Sequence, residues 1–205
     1  MVLHLDKKGI RVLGIAESFR RDYEQSVLAG IVMRSDLVID GMGFTRITVG
    51  GMDATEGVLR LVASLQRDDI NALMLNGCVI SWFNIIDITN VYEQLYIPLI
   101  CVTYEDSEGL EAHIARHFDA ADRDVRLAAY QRLGARIPVT IHDEYEDLIR
   151  FLGLEKAEAV KLLKRFTTHG RIPEPLRVAK LAARALLTST SDERDFRLRE
   201  ALSFS

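Results

Sequence analysis

Residues 11–18, RVLGIAES, carry Val12, Leu13 and Ile15 in a run without alternation that stops at polar residues. A strand covered on both faces of a sheet reads this way, so the stretch predicts a central strand. In open α/β sheets ligands sit beyond the carboxyl ends of such strands, which puts Ala16, Glu17 and Ser18 where chemistry is expected. Position 16 offers only a methyl group. A charged loop with Arg20, Arg21, Asp22 and Glu24 follows, then a second apolar strand at 27–33, a polar break at 34–36 and a third strand bent at Gly41-Met42-Gly43. At Gly50-Gly51 the period changes from two to about 3.6. Asp53-Ala54-Thr55-Glu56 has the spacing of a capping box, and Val58, Leu61, Val62 and Leu65 line one helical face behind it. Residues 70–75 read as a buried strand ended by Asn76-Gly77, residues 84–95 as a helix, and residues 97–102 as a fifth strand.

Three strands joined by short turns make an antiparallel meander, and helical crossovers then add parallel strands on the other side of the first. The prediction is an α/β fold with a mixed sheet of order 3-2-1-4-5, flanked by helices in the ribonuclease H-like arrangement. It sets Ala16 beside Asn76, with the start of the last helix facing the same end. Residues 105–134 are charged and helical with a break near Asp119. His113 and His117, four apart, have a spacing that holds zinc when a third ligand arrives, or lie on a solvated helix. Residues 137–141 and 148–152 read as short strands around an acidic stretch, and 154–166 as an amphipathic helix ended near Gly170. Pro173 and Pro175 open a long last helix with Leu176, Ala179, Ala183 and Leu187 as its apolar stripe. The tail from about residue 189 is expected to be loosely held.

Composition narrows the class without naming a function. The 205 residues, 48% hydrophobic and 27% charged, suit a single globular domain spanning 1–205. Cys78 and Cys101 are two, far apart, and outside any C-x-x-C pattern, so neither a disulfide framework nor a thiolate metal site is predicted, and a reduced, cytoplasmic setting is expected. The first residues lack the apolar core of a signal peptide, and no run approaches a membrane span, so no membrane partner is expected. A net charge of -4 argues against coating nucleic acid through bulk charge and leaves room for a local basic groove.

The run THGRIPEPLRVAKLAARALL, with RVLGI, SVLAGIVMR, VGGMDATE and LNGCVISWFNIIDI, resembles the archaeal domain-of-unknown-function family 99, also called uncharacterised protein family 0215. That family is similar to endonuclease V, a magnesium-dependent nuclease of ribonuclease H-like fold that recognises deaminated bases. The resemblance implies carboxylates from strands one and four holding Mg²⁺ against a phosphodiester. Two such carboxylates about 4 Å apart repel by roughly 4 kcal/mol at an effective dielectric of about 20, so a paired-acid site requires a cation. This chain departs from that pattern. Gly14-Ile15-Ala16-Glu17 stands where the relatives usually have Gly-Ile-Asp-Asp, and Asn76-Gly77 where strand four ends in Asp-Gly. Tyr104, with Glu105 beside it, falls at the place of a lysine, and Lys180 at that of an Asp or His on the final helix.

Other polar groups keep the family pattern. Asp53, Thr55 and Glu56 retain the DATE motif, and Asn84 and Asp87 the F-N-x-x-D motif, each also readable as a helix cap. Glu17 is a substitute ligand only if it turns toward position 16, against the alternation of strand side chains. His169 and Arg177, around a helix start, are expected to bind an anion, unless Arg177 simply pairs with Glu174. Trp82 beside Phe83 reads as packing or as a surface for stacking on a base. Two functions follow: a relative of endonuclease V with degenerate ligand positions (Ala16, Asn76, Lys180) and no metal cofactor that binds nucleic acid or another phosphate ligand without cleaving it, or works as a partner protein; or an active Mg²⁺-dependent endonuclease with a reorganised site of Glu17, Asp53 and Asp87.

Overall fold

The computed structural model describes the backbone of residues 9–104, 109–142 and 145–203, with side chains except at 145 and 190–203. Glu105 and the side chains of the expected loose tail from 190 onward lie outside the described residues. Strands β1 (Arg11–Ser18), β2 (Gln25–Arg34) and β3 (Ile39–Thr48) form the meander. They are followed by α1 (Ala54–Ser64), β4 (Ala72–Asn76), a small hairpin of β5 (Val79–Ile80) and β6 (Asn84–Ile85), α2 (Ile88–Leu95) and β7 (Leu99–Thr103). Then come α3 (Glu111–His117), α4 (Ala120–Arg132), β8 (Ile137–Ile141), β9 (Tyr145–Leu152), α5 (Lys156–Phe166) and α6 (Glu174–Ser203). The main sheet has the order β3-β2-β1-β4-β7-β9-β8. Its first five strands are the predicted 3-2-1-4-5 order, and the two strands expected near 137–141 and 148–152 extend the far edge antiparallel.

Parity along the central strands divides the core. Leu13, Ile15, Leu73, Leu75 and Leu99 pack toward α1 and α2, while Val12, Ala16, Met74, Ile100 and Val102 pack toward α5 and α6. β1 runs parallel to β4 with Ile15 opposite Leu75, so the next step brings Ala16 alongside Asn76 as predicted. α6 packs on β1 and then, through Ala183 and Leu187, on β2, with Pro175 over Gly14. A methyl group on Gly14 would stand 2.5 Å from the Pro175 carbonyl carbon, so the absence of a side chain lets the helix touch the strand.

At the opposite end of the sheet Arg67 grips Asp69 in bidentate fashion at 2.7 Å for both contacts and reaches the Asp40 carboxylate at 3.0 Å, while Arg11 also bonds Asp40. This network ties the starts of β1 and β3 to the chain entering β4. β3 is an edge strand, and Arg67, just beyond α1, and Arg60 of α1 donate to its carbonyls at Asp40 (2.6 Å) and Arg46 (3.0 Å). Met42 and Phe44 remain exposed between them.

Three expectations change. The helix predicted over 84–95 begins only at Ile88, because Asn84 is held in a strand opposite Ile80 and Asp87 supplies the cap by accepting from Asn90 N at 3.1 Å. The capping box at Asp53 does not form, because the Asp53 side chain is engaged elsewhere. Cys78 and Cys101 are joined as a disulfide with Cα atoms 6.3 Å apart, against the expectation of two unpaired thiols. The turn at Gly77, with φ of +90°, folds Cys78 back over β7, and that fold was not visible in the spacing of the two cysteines.

Substituting Gly14→Ala should destabilise the protein by about 1–3 kcal/mol through overpacking against Pro175, read as a lowered urea midpoint with unchanged slope.

Candidate functional site

The carboxyl-terminal ends of β1, β4 and β7 lie together with the turn after β3 and the β5–β6 hairpin. Glu17 is the acid at the end of β1, and its side chain is only 11% exposed. Lys180 from α6 donates to the Glu17 carbonyl oxygen at 2.6 Å and holds its Nζ 3.6 Å from Glu17 Oε1. Glu17 Oε2 is buried without a hydrogen-bond partner. Burial pushes the carboxyl upward from its ordinary value, and the Lys180 ammonium and the Ser81 backbone only partly offset that push. Ala16 faces the other side of the sheet, among Leu176 and Ala179, so Glu17 does not turn toward its place. Asn76 ends β4 half-buried.

The two motifs retained from the family lock onto each other. Asp53 accepts from Thr48 N (3.1 Å), Thr48 Oγ1 (3.0 Å) and Asn84 Nδ2 (2.7 Å). Asn84 Oδ1 in turn accepts from Ala54 N at 2.9 Å, capping α1 from another strand. Thr55 Oγ1 accepts from Asp87 N at 2.9 Å. Burial raises the Asp53 carboxyl, and the bonds from Asn84 and Thr48 outweigh it, leaving the group below the usual range. Asp87 caps α2, with Oδ2 3.9 Å from Arg132 Nε, and Glu56 is exposed. Glu17, Asp53 and Asp87 thus serve three separate local structures. Among the described residues no three His, Cys, Asp or Glu side chains gather to hold a metal, and His113 is exposed while His117 packs 4.9 Å from Trp82.

The expected anion site at the start of α6 is already filled from within. Buried Glu174 accepts from Thr168 Oγ1 at 2.7 Å and from Arg177 Nε at 2.9 Å. Arg177 is therefore bonded to Glu174, the plainer of its two readings, and His169 is exposed.

Two groups escaped the sequence reading. Arg126 of α4 is 4% exposed in a helix that read as solvated, and its guanidinium donates to Gly51 O (2.8 Å), Phe83 O (2.9 Å) and Gly50 O (2.6 Å). Its signal was a 126-129-133 stripe with one arginine among apolar neighbours. Asp147 is fully buried on β9, with Oδ1 accepting from Arg171 Nη2 at 2.7 Å, and its Oδ2 and the Tyr104 hydroxyl are each buried without a hydrogen-bond partner. Burial raises Asp147 and Tyr104 alike, with Asp147 adding to the rise at Tyr104. Ser81, Trp82 and Phe83 form the three-residue turn of the hairpin with φ of 46°, 61° and 63°, with Ser81 O accepting from Gly50 N and Phe83 O from Arg126. Left-handed backbone costs a residue with a side chain roughly 1–2 kcal/mol, so this turn stands only because its surroundings hold it.

The endonuclease dU family matches residues 8–187. The chain belongs to that family. A UPF0215 protein of Pyrobaculum calidifontis is 37% identical over 172 residues, covering 83% of this chain and 93% of its own. The crystal structure of a protein of unknown function from Archaeoglobus fulgidus superposes with a TM-score of 0.74 at 29% identity, over 86% of this chain and 98% of that one. Endonuclease V of Ciona intestinalis, solved with a 24mer DNA containing an inosine followed by a ribo-adenosine, superposes with a TM-score of 0.61 at 16% identity, over 89% and 88%. The last likeness establishes the ribonuclease H-like fold. Family membership and fold agree with the resemblance read from the motifs.

Two measurements check the geometry. The raised Glu17 carboxyl binds its proton more tightly in the folded state, so stability should fall as pH rises from the ordinary value near 4.5 through the folded value. Glu17→Gln should flatten that decline in urea melts taken across the same range. A double-mutant cycle of Asp53→Ala and Asn84→Ala should give a coupling of about 1–2 kcal/mol, whereas independent capping roles would give additive losses.

Proposed function

We propose that this protein binds nucleic acid at the carboxyl-terminal ends of β1, β4 and β7 without cleaving it. The observation that carries this reading is the Lys180 ammonium on Glu17. A fixed cation there takes the charge role that a divalent ion has in a paired-carboxylate site, and it needs no second acid. The residues present do not suit Mg²⁺: Ala16 has no donor, Asn76 has no charge, and an ammonium would repel the ion. Binding itself is supported by guanidinium groups around this end of the sheet. Arg20 and Arg21 lie on the exposed loop after β1, and Arg136 and Arg150 border a cavity of about 90 Å³ beside Gly77. Guanidinium groups suit phosphodiesters because their forked donors match the phosphate oxygens.

The family is described as endonuclease dU, and the endonuclease V relative was solved with inosine-containing DNA. The decisive experiment therefore uses labelled single strands carrying one deoxyuridine or one deoxyinosine, with Mg²⁺ and then Mn²⁺ present. Anisotropy should report binding that weakens with salt, and denaturing gels should show intact strands. Cleavage abolished by Glu17→Gln, Asp53→Asn or Asp87→Asn would establish the active endonuclease instead. Absence of binding at low salt would remove both.

Restoring ligands should restore metal first. The triple variant Ala16→Asp, Asn76→Asp, Lys180→Ala should gain Mn²⁺ binding by calorimetry and a melting temperature that rises with Mn²⁺, while the parent shows neither. Tight Mn²⁺ binding by the parent would place the site elsewhere.

A further inference from the structure

Trp82 is the only tryptophan of the chain, and its surroundings differ on its different sides. Below it the backbone is fixed: Gly50 N donates to Ser81 O at 2.8 Å, and the buried Arg126 guanidinium holds the carbonyls of Gly50, Gly51 and Phe83. A methyl group on Gly50 would stand 3.3 Å from Trp82 Cδ1, so the turn after β3 rests against the indole. Phe83 meets the ring edge-on at 5.0 Å and His117 tilts against it at 4.9 Å. Over the ring lies the guanidinium of Arg21, 3.6 Å from the centroid. Arg21 belongs to an exposed loop and the indole itself is half-buried. A planar cation thus covers an aromatic platform whose floor is held by buried hydrogen bonds.

We propose that Trp82 is a stacking platform for an unpaired nucleobase, with Arg21 as its movable cover. The inference rests on the nucleic-acid reading above and names the part of the ligand that this turn would take. A nucleobase has the flat shape that the guanidinium now presents to the indole, and stacking tolerates any base because each has a π-face. Arg21, displaced from the ring, keeps its charge near the adjoining phosphates. Ser81 Oγ donates to Ser26 Oγ at 2.6 Å, so the platform is attached to β2. The left-handed turn at Ser81, Trp82 and Phe83 holds the ring in place before any strand arrives.

The single tryptophan makes the site directly observable in the unmodified protein. A 12-nucleotide single strand of thymine is titrated while anisotropy of a terminal label and Trp82 emission are followed together, in DNA and RNA versions. The comparison probe is a strand of equal length made of abasic sugar phosphates. The base-bearing strands should quench Trp82 emission with the same midpoint as the anisotropy change, and the abasic strand should bind more weakly without quenching. Trp82→Leu should weaken binding of the base-bearing strand about ten-fold and leave the abasic strand unaffected. Trp82→Phe, which keeps an aromatic face in the turn, should recover most of that loss. Binding without any change in Trp82 emission, or equal quenching by the abasic strand, would overturn the platform and leave the nucleic-acid reading standing. No binding by any strand would overturn both.

Discussion

The structure depends on contact between α6 and β1 at Gly14. With hydrogen in place of a side chain there, Pro175 comes down onto the central strand and sets the depth and direction of the whole helix. About one and a half turns further on, that geometry delivers Lys180 to the carbonyl and carboxylate of Glu17. A helix held further from the sheet by one methyl group would leave a buried carboxylate without its nearest cation, and a buried charge without a partner is costly. Packing at one glycine therefore determines the electrostatics at the end of the strand.

The acids of this end of the sheet are occupied with structure. Asp53 joins the end of β3 to the β6 strand through Thr48 and Asn84, Asp87 starts α2 and is tied to α1 through Thr55, and Glu174 satisfies Thr168 and Arg177. Asp53, Asp87 and Glu174 thus already have donors, while one oxygen of Glu17 has none. What remains open to solvent is the loop after β1, in which Arg20 pairs with Asp22 and the Arg21 guanidinium lies over the half-buried Trp82. A guanidinium over an indole suits a flat, negatively charged ligand better than a hydrated cation.

Much of this fold is legible in the chain because its signals are local. The uninterrupted apolar run at Val12, Leu13 and Ile15, the change of period at Gly50-Gly51 and the short turns of the meander determine the order of the first five strands, and hence the neighbours Ala16 and Asn76. The site was less legible because its decisive bonds join residues distant in sequence. Asp53 has the spacing of a cap, yet its donors come from Thr48 and from Asn84, 31 positions away. Arg126 sits in a charged helix whose burial depends on carbonyls 75 and 43 positions earlier. The cysteine pair was misread for the same reason, since only the left-handed turn at Gly77 brings Cys78 to Cys101.

Arg60 of α1 and Arg67 just beyond it, which reach the edge strand β3, also bear on how the protein behaves in a concentrated solution. An unpaired strand edge is a template for a second chain, and here the carbonyls of Asp40 and Arg46 are taken by guanidinium groups on either side of the exposed Met42 and Phe44. Charged side chains held over an edge strand discourage a neighbouring sheet from pairing with it. Part of that cover comes from Arg60, a helix residue distant in sequence from the carbonyl it bonds, and its loss would bare the edge there without removing anything from the hydrophobic core.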